Sequence, residues 1–161
     1  MKRTFFILIS FVLIFTLTLS SCDRKNVDCY AALSEVKAKL SIDFPIYSPK
    51  AKVGESGYCK EDFLSELYKI EDGYVSDFAV ILASTLDSYG EIAVLLCYTE
   101  YDAAICYGML RGRLREVITN SGSLDVSAAR DAELCREGKC VILCAVRECE
   151  RAMRVIRATI R

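Results

Sequence analysis

The sequence predicts an α+β fold, with a small and mainly antiparallel sheet of about four strands packed by helices, after an N-terminal signal peptide. Two observations predict this class. Segments with helical spacing of apolar residues are interspersed with short apolar runs that turn residues punctuate. The chain is also 53% hydrophobic and poor in proline and glycine, so most of it can bury a core, which disfavours intrinsic disorder.

The first element is an export signal. Lys2 and Arg3 form a short positive region, and residues 5–19 are apolar except for one serine and two threonines. This length fits the hydrophobic region of a signal peptide and is shorter than the roughly 18–20 residues that span a bilayer. We therefore expect residues 1–21 to be a signal peptide.

The end of this segment is similar to the bacterial lipobox, in which a leucine and two small residues precede a lipidated cysteine. The matching residues are Leu19, Ser20, Ser21 and Cys22. The resemblance implies transfer of a diacylglyceryl group to Cys22 and cleavage between Ser21 and Cys22. Two acyl chains give stable anchoring, whereas one chain binds only marginally. A cleaved signal peptide without lipid and an uncleaved anchor helix are the competing interpretations.

The remaining chain is expected to comprise a lipidated tether, residues 22–28, and one α+β domain, residues 29–161, because about 140 residues suit a single core. Without residues 1–21 it has 19 basic and 22 acidic side chains, a net charge of −3. This near balance disfavours nucleic-acid binding by bulk charge. We expect a location on the extracytoplasmic face of the cell membrane, where the partners are the membrane itself, through the anchor, and an envelope protein or an anionic polymer.

The first half of the domain is predicted to be mainly helical. Asp28 can cap a helix that extends to about residue 40, and a second short helix is expected over residues 60–69. Residues 42–58 hold both prolines and two glycines, so this segment is expected to be irregular.

Two strands and the longest helix follow. Residues 75–83 and 91–98 are expected to pair as an antiparallel hairpin, and the second strand is apolar on both faces, as in a central strand. Thr99 forms a variant capping box that opens a helix to about residue 118. Gly108 and Gly112 are four residues apart on this helix and predict the close approach of a neighbouring element.

The last third is predicted to contain a second hairpin. A loop at residues 120–123 and a short helix at 126–132 precede it. The hairpin arms are residues 134–136 and 139–145, and a final helix is expected over residues 147–160.

Several short patterns of fold-maintaining residues occur along residues 63–160. They are Leu67-Tyr68-Lys69-Ile70, Glu91-Ile92-Ala93-Val94, Asp102-Ala103, Arg113-Leu114 and the hairpin that contains Gly138. In these patterns the chain resembles a domain-of-unknown-function family of short lipoproteins from clostridia and related Firmicutes. The resemblance implies a lipoprotein and brings no established activity, ligand or site. The chain departs from the family pattern in its many cysteines and in lacking the usual proline after the long helix.

The absence of histidine excludes Ser-His-Asp and Cys-His catalysis and His-ligated zinc. The chain also lacks a phosphate-binding glycine loop, a dinucleotide fingerprint and a Gly-x-Ser-x-Gly motif. We therefore predict no catalytic residue and no cofactor.

A hydrolase with paired carboxylates would need two acids that converge on a cleft. The acids near loops and strand ends, which we expect to be solvated, are Glu71, Asp72, Asp87, Glu91 and Glu100.

Eight cysteines remain besides Cys22. They are Cys29, Cys59, Cys97, Cys106, Cys135, Cys140, Cys144 and Cys149. An even number in an exported protein is compatible with disulfides, whereas the apolar surroundings of most of them favour reduced thiols packed in the core, so both interpretations stay open. No metal site is predicted, because the chain has no Cys-x-x-Cys turn. Cys140 and Cys144 would also lie about 13 Å apart along one strand.

Five arginines recur on the last predicted helix. They are Arg147, Arg151, Arg154, Arg157 and Arg161, all within about 120° of one another around the helix. Such a stripe could contact anionic headgroups or wall polymers. The favoured interpretation is a solvated face whose late arginines complement the negative end of the helix dipole.

Taken together, these features predict a non-catalytic binding or accessory module at the cell envelope. The alternative is an envelope hydrolase or a thiol-dependent enzyme that uses acidic or Cys residues. Two carboxylates within about 10 Å in a cleft, or a partly exposed thiol beside a Lys or Arg, would favour the enzyme.

Overall fold

A five-stranded antiparallel sheet with helices on both faces forms the centre of the computed structural model, which describes residues 27–60 and 62–160. The predicted signal peptide, Cys22 and Arg161 lie outside the described residues. The helices are α1 (Cys29–Leu40), α2 (Asp62–Tyr68), α3 (Glu100–Thr119), α4 (Ser127–Arg130) and α5 (Cys149–Ile160). The strands are β1 (Ile46–Tyr47), β2 (Val75–Leu82), β3 (Glu91–Cys97), β4 (Glu133–Glu137) and β5 (Cys140–Ala145).

The strand order is β1-β2-β3-β5-β4, and every neighbouring pair is antiparallel. The central strand β3 pairs with β2 on one side and with β5 on the other, and six of its seven residues are buried. The predictions of an α+β fold, of both hairpins and of a central strand covered on two faces are therefore confirmed.

The fifth strand, β1, lies in the segment predicted to be irregular. Ile46 pairs with Ile81 of β2, and the hydroxyl of the buried Ser48 donates a hydrogen bond to the Phe78 carbonyl at 2.8 Å. Gly57 permits this packing, because a Cβ at its position would lie 2.1 Å from the Ile46 carbonyl oxygen. A strand of two residues is too short to show an alternating pattern.

Alternation along the strands divides the core between the two faces. On one face α1 and α5 cover side chains such as Ala79 and Ile81, and on the other α2, α3 and α4 cover Phe78 and Val80. Both faces of the central strands are apolar because each meets a helical layer.

Three local predictions concern the caps of two helices and the surroundings of two glycines. Asp28 caps α1 by accepting from the Ala31 amide, and Thr99 and Asp102 form the complete capping box of α3. The predicted close approach at Gly108 and Gly112 is wrong, since a Cβ added at either would meet no atom within 4 Å. Both glycines instead line an open cleft of about 310 Å³ beside α2.

Candidate functional site

Glu91, the first residue of β3, is the most unusual side chain of the fold. Its side chain is only 1% exposed, so its prediction as a solvated acid is wrong. The residue begins a central strand, and it shares the face of Ala93 and Leu95, which the α2, α3 and α4 layer covers. The other four candidate acids are exposed, as expected.

Three side chains surround the Glu91 carboxylate. The Tyr68 hydroxyl, at the end of α2, donates to Oε1 at 2.6 Å, and the Tyr89 hydroxyl donates to Oε2 at 2.5 Å. Arg113 of α3 places its Nε 4.0 Å from Oε2. Two hydrogen bonds to an ionised acceptor and a nearby cation offset part of the cost of burying the charge.

The protonation behaviour of this cluster follows from its burial. Burial raises the pKa of Glu91 above its ordinary value, although the hydrogen bonds from Tyr68 and Tyr89 and the charge of Arg113 act in the opposite direction. Burial, together with the carboxylate, also raises the pKa of both tyrosines. The two hydroxyls therefore remain donors over the whole physiological pH range.

Arg113 connects the buried carboxylate to the cleft beside α2. Its side chain is 30% exposed and lines the cleft with Tyr68, Gly108 and Gly112. Among the described residues, its Nε is a buried side-chain nitrogen without a hydrogen-bond partner. The attraction between Arg113 and Glu91 is thus electrostatic at 4.0 Å, without a direct hydrogen bond at this nitrogen.

A second opening, called here the distal cavity, has Tyr89 among its lining residues and a volume of about 290 Å³. Its apolar lining comprises Leu40, Ile42, Phe44, Ala83, Tyr89, Ala128 and Val146. Its charged lining comprises Asp43, Asp125, Arg147 and Glu148. Tyr89 lines this cavity, and its hydroxyl also donates to Glu91, so one residue belongs to both the cavity wall and the carboxylate cluster.

The distal cavity and the start of α1 lie at opposite ends of the sheet. The backbone N–H of Cys29 donates to the Asp77 carboxylate at 3.0 Å, which places the start of α1 beside the first residues of β2. Leu40, at the end of α1, lines the distal cavity together with Ala83, which follows β2. Among the described residues, no helix is both long and apolar enough to cross a membrane.

The eight cysteines of the described residues are free thiols. Cys97, Cys106, Cys140 and Cys144 are buried, as their apolar positions predict, whereas Cys149 is half-buried. No three side chains of metal-ligating type converge within residues 27–60 and 62–160.

Cys135 is a half-buried thiol beside an arginine, which is an arrangement that would suit a thiol-dependent enzyme. The Arg157 guanidinium donates to its Sγ at 3.5 Å. Burial nevertheless raises the pKa of Cys135, and Glu133 and Glu137 act in the same direction against Arg157. A thiol held in its neutral form is a poor nucleophile, so this site does not favour the enzyme.

The predicted arginine stripe is divided by ion pairs. The Arg157 guanidinium pairs with two carboxylates of β4. Its Nη2 lies 2.6 Å from Glu133 Oε1, and its Nε lies 2.8 Å from Glu137 Oε1. Arg151 pairs with Glu148 at 3.0 Å, and Arg154 lies 3.9 Å from Glu150. Arg147 precedes α5 and lines the distal cavity instead. Each described arginine of the helix itself therefore has a carboxylate neighbour.

No family model matches the chain, and comparisons with curated proteins and with solved structures found no similar protein. The resemblance to a lipoprotein family therefore stays a prediction.

Proposed function

We propose that the protein is a lipoprotein anchored through Cys22 and a non-catalytic binding module at the cell envelope, with the distal cavity as its binding site. The observation that carries this proposal is the position of the cavity at the end of the sheet opposite to the start of α1. Cys22 precedes Asp28 by six residues, which can span at most about 20 Å when fully extended. Such an anchor would hold the Asp77 end of the sheet near the membrane and turn the cavity outward.

The membrane-proximal end carries side chains suited to an interface with lipid. Tyr98 and Tyr101 are exposed large side chains just after β3, and the Tyr98 amide bonds to the carbonyl of Tyr74 beside the start of β2. The exposed Lys139 follows β4 at the same end. Tyrosine favours the boundary between lipid and water, and lysine favours anionic headgroups. These residues support the proposed orientation.

The lining of the distal cavity indicates the kind of ligand. Its apolar residues suit one or two apolar side chains, and its volume is at the lower end of the range for binding pockets. The charged lining holds three carboxylates, those of Asp43, Asp125 and Glu148, and one cation, Arg147. This balance favours a peptide segment of an envelope protein, with an apolar and a basic side chain, over an anionic polymer.

The proposed orientation can be measured with single-tryptophan reporters, because the chain contains no tryptophan. Tyr101→Trp reports on the proximal end, and Leu86→Trp, at a side chain that is 99% exposed between β2 and β3, reports on the distal end. We expect lipid bromination to quench Tyr101→Trp but not Leu86→Trp when the lipidated proteins are reconstituted in vesicles. Equal quenching of both reporters would reject the orientation.

Anchoring and binding are tested separately. Cys22→Ala is expected to abolish the mass increment of lipidation, signal-peptide processing and stable membrane attachment, and unchanged processing and attachment would reject the anchor.

A photo-crosslinking residue at Ala128, in the cavity lining, is expected to trap an envelope polypeptide in intact cells. The matched position is Ala104, on the exposed side of α3. Crosslinks that are the same at both positions, or that survive Arg147→Glu and Asp125→Lys unchanged, would count against the cavity.

A further inference from the structure

Cys144 and Cys149 form a pair of adjacent thiols where β5 leads into α5. The Cys149 Sγ donates to the Cys144 carbonyl at 3.2 Å, and the Cys144 Sγ lies 3.7 Å from the Cys149 carbonyl. Each thiol also shifts the pKa of the other. These mutual contacts bring both side chains into the space between the end of the strand and the start of the helix.

The short segment between the two cysteines belongs to the distal cavity. Val146, Arg147 and Glu148 all line it, and they are three of the four residues between Cys144 and Cys149. A covalent bond between the two sulfurs would therefore close a small ring around one wall of the cavity.

The two thiols differ in access and in acidity. Cys149 is half-buried, whereas Cys144 is buried. The adjacent Cys144 thiol lowers the pKa of Cys149 to about 7, and the Cys149 thiol, together with burial, raises the pKa of Cys144. Cys149 is thus the accessible thiol with thiolate character, and Cys144 is the protected partner that can resolve a mixed disulfide.

We infer that Cys144 and Cys149 form a reversible disulfide that fixes the Val146–Glu148 wall of the distal cavity, so that the redox state of the surroundings regulates the binding site. The regulatory part of this inference rests on the proposed function of the cavity, whereas the disulfide itself does not. An extracytoplasmic location would favour such chemistry, since disulfides persist outside the cytoplasm.

The oxidant is a low-molecular-weight disulfide. The Cys149 thiolate attacks one of its sulfurs, which forms a mixed disulfide and releases one small thiolate. Cys144 then loses its proton and attacks the Cys149 sulfur, which releases the second small thiolate. Overall, two protein thiols and one small disulfide give one protein disulfide and two small thiols, and the two protons of the cysteines end on the released thiols.

The same chain provides a matched control pair. Cys97 and Cys106 also influence each other, since Cys106 raises the pKa of Cys97 and Cys97 lowers the pKa of Cys106, but both residues are buried, at 1% and 0% exposure. An external disulfide should reach them only when the fold opens. The comparison of the two pairs therefore separates the effect of access from the effect of thiol proximity.

The experiment treats the folded full chain with oxidised glutathione and maps its cysteines by differential alkylation and mass spectrometry. We expect the Cys144–Cys149 disulfide to form at least about tenfold faster than a Cys97–Cys106 disulfide, and Cys144→Ser to accumulate glutathione on Cys149. Comparable rates for the two pairs, or no reaction at Cys149 while circular dichroism shows a folded chain, would overturn the inference.

Hydrogen exchange of the same samples tests the coupling to the cavity. The amides of residues 146–148 are expected to exchange more slowly after oxidation, and this change should be absent in Cys149→Ser. Unchanged exchange in an oxidised sample would overturn the regulatory part. Neither measurement needs a membrane or a ligand, so its failure is distinguishable from failure of the anchor or of ligand binding.

Discussion

Replacement of Tyr68 by phenylalanine tests whether the buried Glu91 cluster stabilises the fold. Tyr68 is 2% exposed, and its hydroxyl donates to Glu91 Oε1 at 2.6 Å. Tyr68→Phe keeps the ring and removes this donor, so that the carboxylate retains only Tyr89 and the more distant Arg113. A hydrogen bond to a charged group contributes about 1.5–3 kcal/mol, and we expect a loss of this size in the free energy of unfolding.

The assay is urea denaturation at pH 7, followed by circular dichroism. For a domain of this length, 1 kcal/mol corresponds to about 4 °C in Tm, so thermal unfolding should shift downward by about 6–12 °C. Tyr101→Phe is the matched control, because Tyr101 is 75% exposed, and its effect should remain within about 0.5 kcal/mol. A loss below about 0.5 kcal/mol for Tyr68→Phe would refute the stabilising role of this hydrogen bond.

A double-mutant cycle separates the contact between Tyr68 and Glu91 from other effects. If the hydroxyl acts through the carboxylate, Tyr68→Phe should cost less in a Glu91→Gln background than in the native chain. Equal costs in both backgrounds would show that the loss of stability arises elsewhere in the packing of α2.

The remaining predictions concern pH and helix capping. Because the pKa of Glu91 is raised in the folded protein, the folded state takes up a proton before the unfolded chain does, and the stability of the native chain relative to Glu91→Gln should increase from pH 7 to pH 4. Paired urea titrations at the two pH values check this sign, and a difference that decreases or stays constant would contradict it. Thr99→Ala removes the side-chain cap of α3 and should cost about 1 kcal/mol in the same assay, whereas a cost below about 0.3 kcal/mol would show that the capping box is dispensable.

The fold was largely predictable because its signals are local. Residues 92–97 are apolar on both faces, and this pattern alone indicated a central strand. Thr99 and Asp102 indicated the start of α3, because a capping box is a pattern of only four consecutive residues. The edge strand β1 was missed, because two paired residues have no periodicity and the contacts of Gly57 with Ile46 come from the tertiary fold.

The candidate site was far less accessible to sequence reasoning. Glu91 follows a turn-rich segment and has the appearance of a solvated acid, although the apolar residues directly after it were a signal for burial. Its partners Tyr68 and Arg113 are separated from it by more than twenty positions, in two different helices. The spacing of Cys144 and Cys149 was visible, but their proximity depends on how β5 turns into α5. Sequence order does not specify such tertiary contacts.

The edges of the sheet have a consequence for molecules that are crowded together. An uncovered strand exposes unpaired backbone groups that can recruit a strand from another molecule. On one side the edge strand is only two residues long, and Ser48 beyond it is already bonded to the Gly57 carbonyl. On the other side, β4 carries Glu133 and Glu137, with Arg157 held between them. Both edges therefore carry features that disfavour intermolecular strand pairing when the local concentration is high.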